Sequence, residues 1–162
     1  MTSERLEQLI LAHQSSLELF ARQWTASPED CVQEAFLRLY CSDETINNET
    51  AWLYRVVRNL AIDQQRSESS RSNREKVVSL QRDLFKKEVG HPIDSDELSQ
   101  AIGGLADEQR EIVIARLWGD LTLEEISKSI GIAISTVHRR YAAAIQQLQQ
   151  HFEVPCQTRK KK

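Results

Sequence analysis

The sequence predicts an all-α protein: two small helical domains joined by a flexible linker, the second a four-helix domain with a helix-turn-helix. Three observations lead there. Only five glycines and three prolines punctuate 162 residues, which suits helices with short connections. Apolar residues recur three and four apart along most of the chain. Between Ser67 and Ile93 that recurrence fails over a charged and polar run, SESSRSNREK, a short apolar cluster at Val77–Phe85, and the loop residues Gly90-His91-Pro92. The boundaries read as a domain over 1–68, a linker over 69–93, a domain over 94–152 and a basic, disordered tail over 153–162.

In chain order, Leu6, Leu9, Ile10, His13, Leu17, Phe20, Ala21 and Trp24 define a first amphipathic helix with Ser3 as its N-cap. His13 on that face reads as a packing histidine rather than a ligand. Ser27-Pro28-Glu29-Asp30 starts a second helix, with a cap, a proline at the first helical position and two acids in the first turn. It is expected to bury Val32, Ala35, Phe36, Leu39 and Tyr40 and to present Asp30, Gln33, Glu34 and Arg38. Cys41 to Asn48 is polar and reads as a loop leading to a cap. The third helix, AWLYRVVRNLAIDQQR, buries Leu53, Val56, Val57, Leu60 and Ala61, leaving Arg55, Arg58, Asn59, Ile62 and Arg66 on the far side. Trp52 and Tyr54 stand at its start. Aromatics beside arginines on an exposed face suit single-stranded DNA, with bases stacking and guanidiniums meeting phosphates. A core-anchoring Trp52 with solvated arginines fits the composition equally.

After the linker, Asp94 caps a helix that buries Leu98, Ala101 and Ile102 and ends at Gly103-Gly104. Asp107 caps the next, with Ile112, Val113 and Leu117 inward and Trp118 near its end. Leu121 to Leu148 then reads as two helices joined by a tight turn. Thr122 caps the first, Glu124 and Glu125 favour its positive end, and Gly131 is able to take the left-handed conformation that stops it. Ser127 is small enough for a close crossing, and Val137, Tyr141, Ala144, Ile145 and Leu148 form one apolar stripe on the second. That is a helix-turn-helix, whose second helix enters the major groove N-terminal end first. Ser135, Thr136, His138, Arg139 and Arg140 would then face the bases. A core helical hairpin without a ligand is the plainer reading of this stretch alone.

The net charge of −3 argues against a non-specific nucleic-acid coat protein. Its distribution is uneven: residues 1–70 hold six Lys/Arg against eleven Asp/Glu, whereas 71–162 hold fifteen against thirteen. An acidic front and a mildly basic back point to different partners. Cys31, Cys41 and Cys156 follow no metal-ligand spacing; Cys31 and Cys41, about 15 Å apart on one helix, are too distant to bridge. They read as reduced thiols. No apolar run reaches membrane-spanning length and no signal pattern opens the chain, so a soluble cytoplasmic protein without membrane insertion is expected. Asp30 and Glu34 sit one turn apart, a spacing that suits a divalent metal, but no matching carboxylate pair stands on a second helix. Neither metal nor cofactor is expected.

Three stretches together resemble the extracytoplasmic-function group of bacterial RNA polymerase sigma factors. EDCVQEAFLRLY (Glu29–Tyr40) is similar to that family's acidic polymerase-docking helix. WLYRVVRNLAIDQQR (Trp52–Arg66) is similar to its promoter-melting and −10 reading helix, and LADEQREIVIARLWGDLTLEEISKSIGIAISTVHRRY (Leu105–Tyr141) to its −35 reading domain. The resemblance covers roughly Leu6–Arg66 and Asp94–Leu148, in the family's order. It implies that Asp30, Gln33 and Glu34 contact the polymerase clamp. The Cys41–Asn48 loop, with Asn47 and Asn48, would capture an unstacked base. Trp52, Tyr54, Arg55, Arg58 and Asn59 would hold the melted strand and adjoining duplex. At the −35 element, Ser135, Thr136, His138, Arg139 and Arg140 would face the groove, with Arg116 and Lys128 on phosphates. Implied partners are core RNA polymerase, through its clamp and flap, and promoter DNA; an anti-sigma factor is one the family admits. The implied role is non-enzymatic, the chemistry belonging to the polymerase.

The two promoter elements lie on the order of 70 Å apart. A 25-residue linker spans at most about 85 Å extended and about 28 Å as a free coil, so it must be held stretched when both domains are engaged. Two departures stand out: Ala133 occupies the place where the family often has a capping serine, and Ala142, Ala143 and Ala144 follow Tyr141 where basic residues are common. Two rival readings come from other classes. A stand-alone helix-turn-helix repressor would need a dimer surface and a palindrome, and leaves the Trp52–Arg66 face and the linker unexplained. A metal-dependent nucleotide hydrolase using Asp30 and Glu34 lacks both a second carboxylate pair and a Gly-rich phosphate loop.

Overall fold

The computed structural model describes residues 2–72 and 95–152; the linker from 73 onward, Asp94, Cys156 and the tail lie outside them. Seven helices and no strand are found among the described residues: α1 (Ser3–Ala21), α2 (Pro28–Tyr40), α3 (Glu49–Ser72), α4 (Ser95–Gly103), α5 (Asp107–Leu117), α6 (Leu123–Ile130) and α7 (Ile134–His151). None of them is long and apolar enough to cross a membrane.

Local chemistry fixes most boundaries. The cap of α1 is Thr2, not Ser3: its hydroxyl accepts from the Arg5 amide at 3.3 Å. Ser27 occupies the α2 cap position without a side-chain bond, and Pro28 fills the first turn. Asn48 caps α3, its Oδ1 accepting from the Ala51 amide at 2.8 Å. That helix runs on to Ser72, four residues into the stretch read as linker. Ala106 rather than Asp107 precedes α5, and the Gln109 side chain accepts from the Ala106 amide. At α6 the capping box is complete, Thr122 and Glu125 each accepting from the other's amide, and Gly131 closes the helix at φ 74°.

Helices α1, α2 and α3 pack together around Leu17, Phe20, Val32, Phe36, Leu53 and Val57. Helices α5, α6 and α7 form the second bundle, with α4 resting on α7. In α5 five consecutive residues, Glu111 to Ala115, are buried. A helix covered on several sides has no single stripe to read, and Leu117, expected inward, lies past the packed section and is half exposed. Tyr40 is likewise exposed at the end of α2.

The two bundles are not held apart. Helix α6 lies on α3 and α5 on α1, and Ile112, Ile114, Leu121 and Ile126 join the same apolar core as Leu9, Phe20 and Val57.

Candidate functional site

The outer face of α2 carries Asp30, Gln33 and Glu34 one turn apart, with Asp30 and Gln33 exposed. Arg38 donates to Glu34 at 2.7 Å along the helix. Leu37 continues the stripe at 61% exposure and Tyr40 stands beside it at 47%. The sequence reading missed this apolar half, because Leu37 and Tyr40 border the buried stripe at helical spacing. Below, Cys31 is buried and donates to Gln64 at 3.2 Å; burial, then Asp30 and Glu68, push its thiol up. Such a thiol is a packing group. His13 of α1 meets Thr50 of α3 at 3.2 Å, as expected of a packing histidine, and burial lowers its pKa.

Loop 41–48 and the start of α3 form the second face. Asn47 is exposed, and Trp52 is half-buried against the core. Arg55 and Asn59 point to solvent, and Arg55 holds no ion pair among the described residues. Tyr54, expected with them, is 1% exposed. It stacks edge-on against Phe20 at 4.9 Å and lies under Gly119, with Ser16 beside its hydroxyl. Burial pushes that hydroxyl up to about 12. Tyr54 is a core residue, since position 54 on α3 faces α1 and the turn after α5.

Arg58 sits on the far side of α3 as expected, but not in open solvent. Its guanidinium donates to both carboxylate oxygens of Glu111 and lies over the Trp24 ring, 6.0 Å from the centroid. Glu111 is 6% exposed; burial raises its pKa, against the pull of Arg58 and Arg140 and with the push of Glu108. Asn48 donates to Glu125, and Ser129 donates to the Ala51 carbonyl at 3.2 Å. Where loop 41–48 meets α6 a cleft of about 280 Å³ opens, lined by Asn47, Asn48, Trp52, Arg55 and Lys128 among others.

In the helix-turn-helix the turn is drawn tight by the Ser127 hydroxyl, which donates to the Ile132 carbonyl at 2.6 Å. Ala133 precedes α7 and offers no cap bond, so Ser135 falls inside the first turn. Ser135, His138 and Arg139 are exposed together, with Thr136 half-buried. Val137 and Ala144 face inward. Arg140 pairs with Glu108 at 2.7 Å, and Lys128 with Glu124 at 2.9 Å. Arg116 differs from expectation: it donates to the Leu121 carbonyl at 2.9 Å and fastens the turn that leads into α6.

The family described as Sigma-70 region 2 matches residues 9–71, and Sigma-70, region 4 matches residues 101–150. The sequence is 32% identical over 120 residues to the RNA polymerase sigma factor SigV of Bacillus subtilis, covering 72% of this chain and 70% of that one. It is 29% identical over 129 residues to the ECF RNA polymerase sigma factor SigL of Mycobacterium tuberculosis, covering 76% and 73%. Among solved structures the fold is similar to that of the sigma factor RpoE in complex with the anti-sigma factor NepR from Bartonella quintana. The TM-score is 0.79 at 23% identity, over 94% of this chain and 99% of that one.

Proposed function

The chain belongs to the extracytoplasmic-function group of RNA polymerase sigma factors, which direct polymerase to promoters, and from that membership we propose how its surfaces divide the work. Residues 1–68 act as the region that binds the core enzyme and opens the −10 element. Residues 94–152 read the −35 element, 69–93 link the two, and 153–162 form a basic tail. The chain is a regulator of initiation, and bond-making stays with the polymerase in the cytoplasm.

The clamp is met by α2. Its stripe of Asp30, Gln33 and Glu34 followed by exposed Leu37 pairs charge with apolar area, as protein interfaces do at rim and centre. The melted strand runs along loop 41–48 and α3, where Asn47, Asn48, Arg55, Arg58 and Asn59 carry the contacts and Trp52 offers a partly open ring. Tyr54 supports that face from beneath. The major groove is read by Ser135, Thr136, His138 and Arg139, with Arg140 and Lys128 at phosphates and the flap of the polymerase holding the domain. This reading has one carrying observation: the α7 face with exposed Ser135, His138 and Arg139 and the α2 stripe are on one chain, outside its core. A stand-alone repressor has no use for the second of these.

The experiment is co-elution of the purified chain with core polymerase, for the natural protein and for Asp30→Ala with Glu34→Ala. The natural chain is expected to co-elute and the folded double variant to lose most of the complex. Equal retention of both would remove the clamp role from α2. An anti-sigma factor fits the same surfaces, and a helical competitor that blocks co-elution would identify it.

A further inference from the structure

Loop 41–48 takes its course from the helices at its two ends. Within it Ile46 packs against the core, whereas Asp43, Thr45 and Asn47 are exposed. A short internal bond, from the Glu44 amide to the Ser42 hydroxyl at 3.2 Å, reaches neither helix. The start of α3, by contrast, is braced from α1. Asn48 caps it, Oδ1 accepting from the Ala51 amide at 2.8 Å. The next two residues are both tied to α1. Arg5 donates through Nε and Nη2 to one carboxylate oxygen of Glu49, the Nε bond being 2.9 Å. The His13 ring meets the Thr50 hydroxyl at 3.2 Å. Arg5 and His13 stand about 12 Å apart along the axis of α1, whereas Glu49 and Thr50 are neighbours about 3.8 Å apart. The two ties therefore lean toward each other, and together they oppose a slide of the first turn of α3 in either direction along α1.

We propose that Arg5 and His13 are positioning residues for promoter opening: by bracing the first turn of α3 they fix the course of loop 41–48, and with it the fit of an unstacked base. The proposal rests on the assignment of that loop and of α3 to the melted strand made above. A base held there is met by Asn47 before the cap and by Trp52 at the end of the first turn after it. The separation between those two side chains runs through Asn48, Glu49 and Thr50, the braced residues. Recognition of that kind tolerates only about half an ångström of misplacement. The Arg5–Glu49 pair is partly open to water, so its tie is a modest one. Its effect falls on opening because opening is the step that needs the fit. The clamp-facing stripe lies on α2 and the groove-facing residues on α7, and neither hangs on these bonds.

The test uses the full chain assembled with core polymerase, on a promoter found by mapping RNA starts on genomic fragments. Opening is read as permanganate reactivity of thymines in the melted stretch, at matched occupancy of core. Arg5→Ala and Glu49→Ala are each expected to lower opening by about threefold, and the two together by no more than either alone, because one tie is lost in all three. His13→Ala and Thr50→Val are expected to form a second such set. Co-elution with core and binding of a −35 duplex are expected to keep their natural values throughout. Effects that multiply within the Arg5–Glu49 set would mean that each residue acts separately on DNA or on the fold, and would overturn the proposal. Unchanged opening, or a loss of opening matched by an equal loss of co-elution, overturns it too. If His13→Ala loses helix by circular dichroism, the Arg5–Glu49 set decides, since both of its side chains are at least partly exposed. Asn47→Ala and Trp52→Ala run alongside. Should neither change opening, or the natural chain open no promoter, the assignment of the loop to the strand falls and takes the proposal with it. Should both lower opening while the Arg5–Glu49 set is silent or multiplicative, the positioning role falls and the loop's assignment stands.

Discussion

Two side chains at the start of α6 and one on α7 bear on how the helix-turn-helix is held and on the surface it presents. Thr122 and Glu125 exchange bonds at the start of α6, and the Thr122 amide holds the Glu125 carboxyl below its usual range, with the Thr122 hydroxyl and Asn48 adding to the pull. A carboxyl depressed in the folded chain contributes stability that is present above its ordinary pKa and lost as pH falls through the lowered value. Glu125→Gln, which keeps an acceptor for the cap, is expected to lower the melting temperature at neutral pH and to change little at acid pH, so that the acid side of a melting-temperature series flattens. Thr122→Ala is expected to cost about 1 kcal/mol at neutral pH, read from denaturant unfolding. Arg139 is exposed on α7 and holds no ion pair among the described residues. Arg139→Ala is expected to weaken −35 duplex binding and lower the salt slope by about one; an unchanged slope would take Arg139 out of the interface. The cap and the glycine of this motif were legible in the sequence because each works through its nearest neighbours. The bond from the Ser127 hydroxyl to the Ile132 carbonyl was not, since smallness alone suggests its role.

At the scale of the helix, periodicity and cap residues locate the seven elements among the described residues, but periodicity does not rank residues at the edge of a stripe. Tyr40 and Tyr54 were exchanged by it: the first lies in solvent and the second in the core. Each borders an apolar stripe, and the neighbour across the bundle, not spacing, decides which way it turns. Helix α5 defeats the method for a different reason, being buried at five positions in a row, Glu111 included. The family resemblance implies a phosphate contact for Arg116; its bond to the Leu121 carbonyl, five residues on, is a turn contact that no pattern signals. For α2 the exposed Leu37 extends the acidic stripe. Leu37→Ala is expected to weaken core binding at least as much as Gln33→Ala, with the fold intact, in a titration against core polymerase. A buried apolar contact outweighs a rim amide in a protein interface.

Across the whole molecule, the sequence divides into two matched regions, and the structure joins them through one core and through the Arg58–Glu111 pair. That union was not legible, because Arg58 and Glu111 are 53 residues apart and each looks like a solvated charge on its own helix. The two regions themselves are legible, because acidic, aromatic-basic and helix-turn-helix stretches follow one another in a fixed order. On the proposed reading, an acidic protein that directs polymerase to promoters is expected to draw its non-specific DNA affinity from the core enzyme. The measurement that bears most directly on this is transcription from a pool of genomic fragments by core polymerase, with and without the chain, followed by mapping of the RNA start sites. The starts are predicted to collapse onto a small set of positions that share two upstream elements at fixed spacing. Starts as scattered with the chain as with core alone would contradict the account.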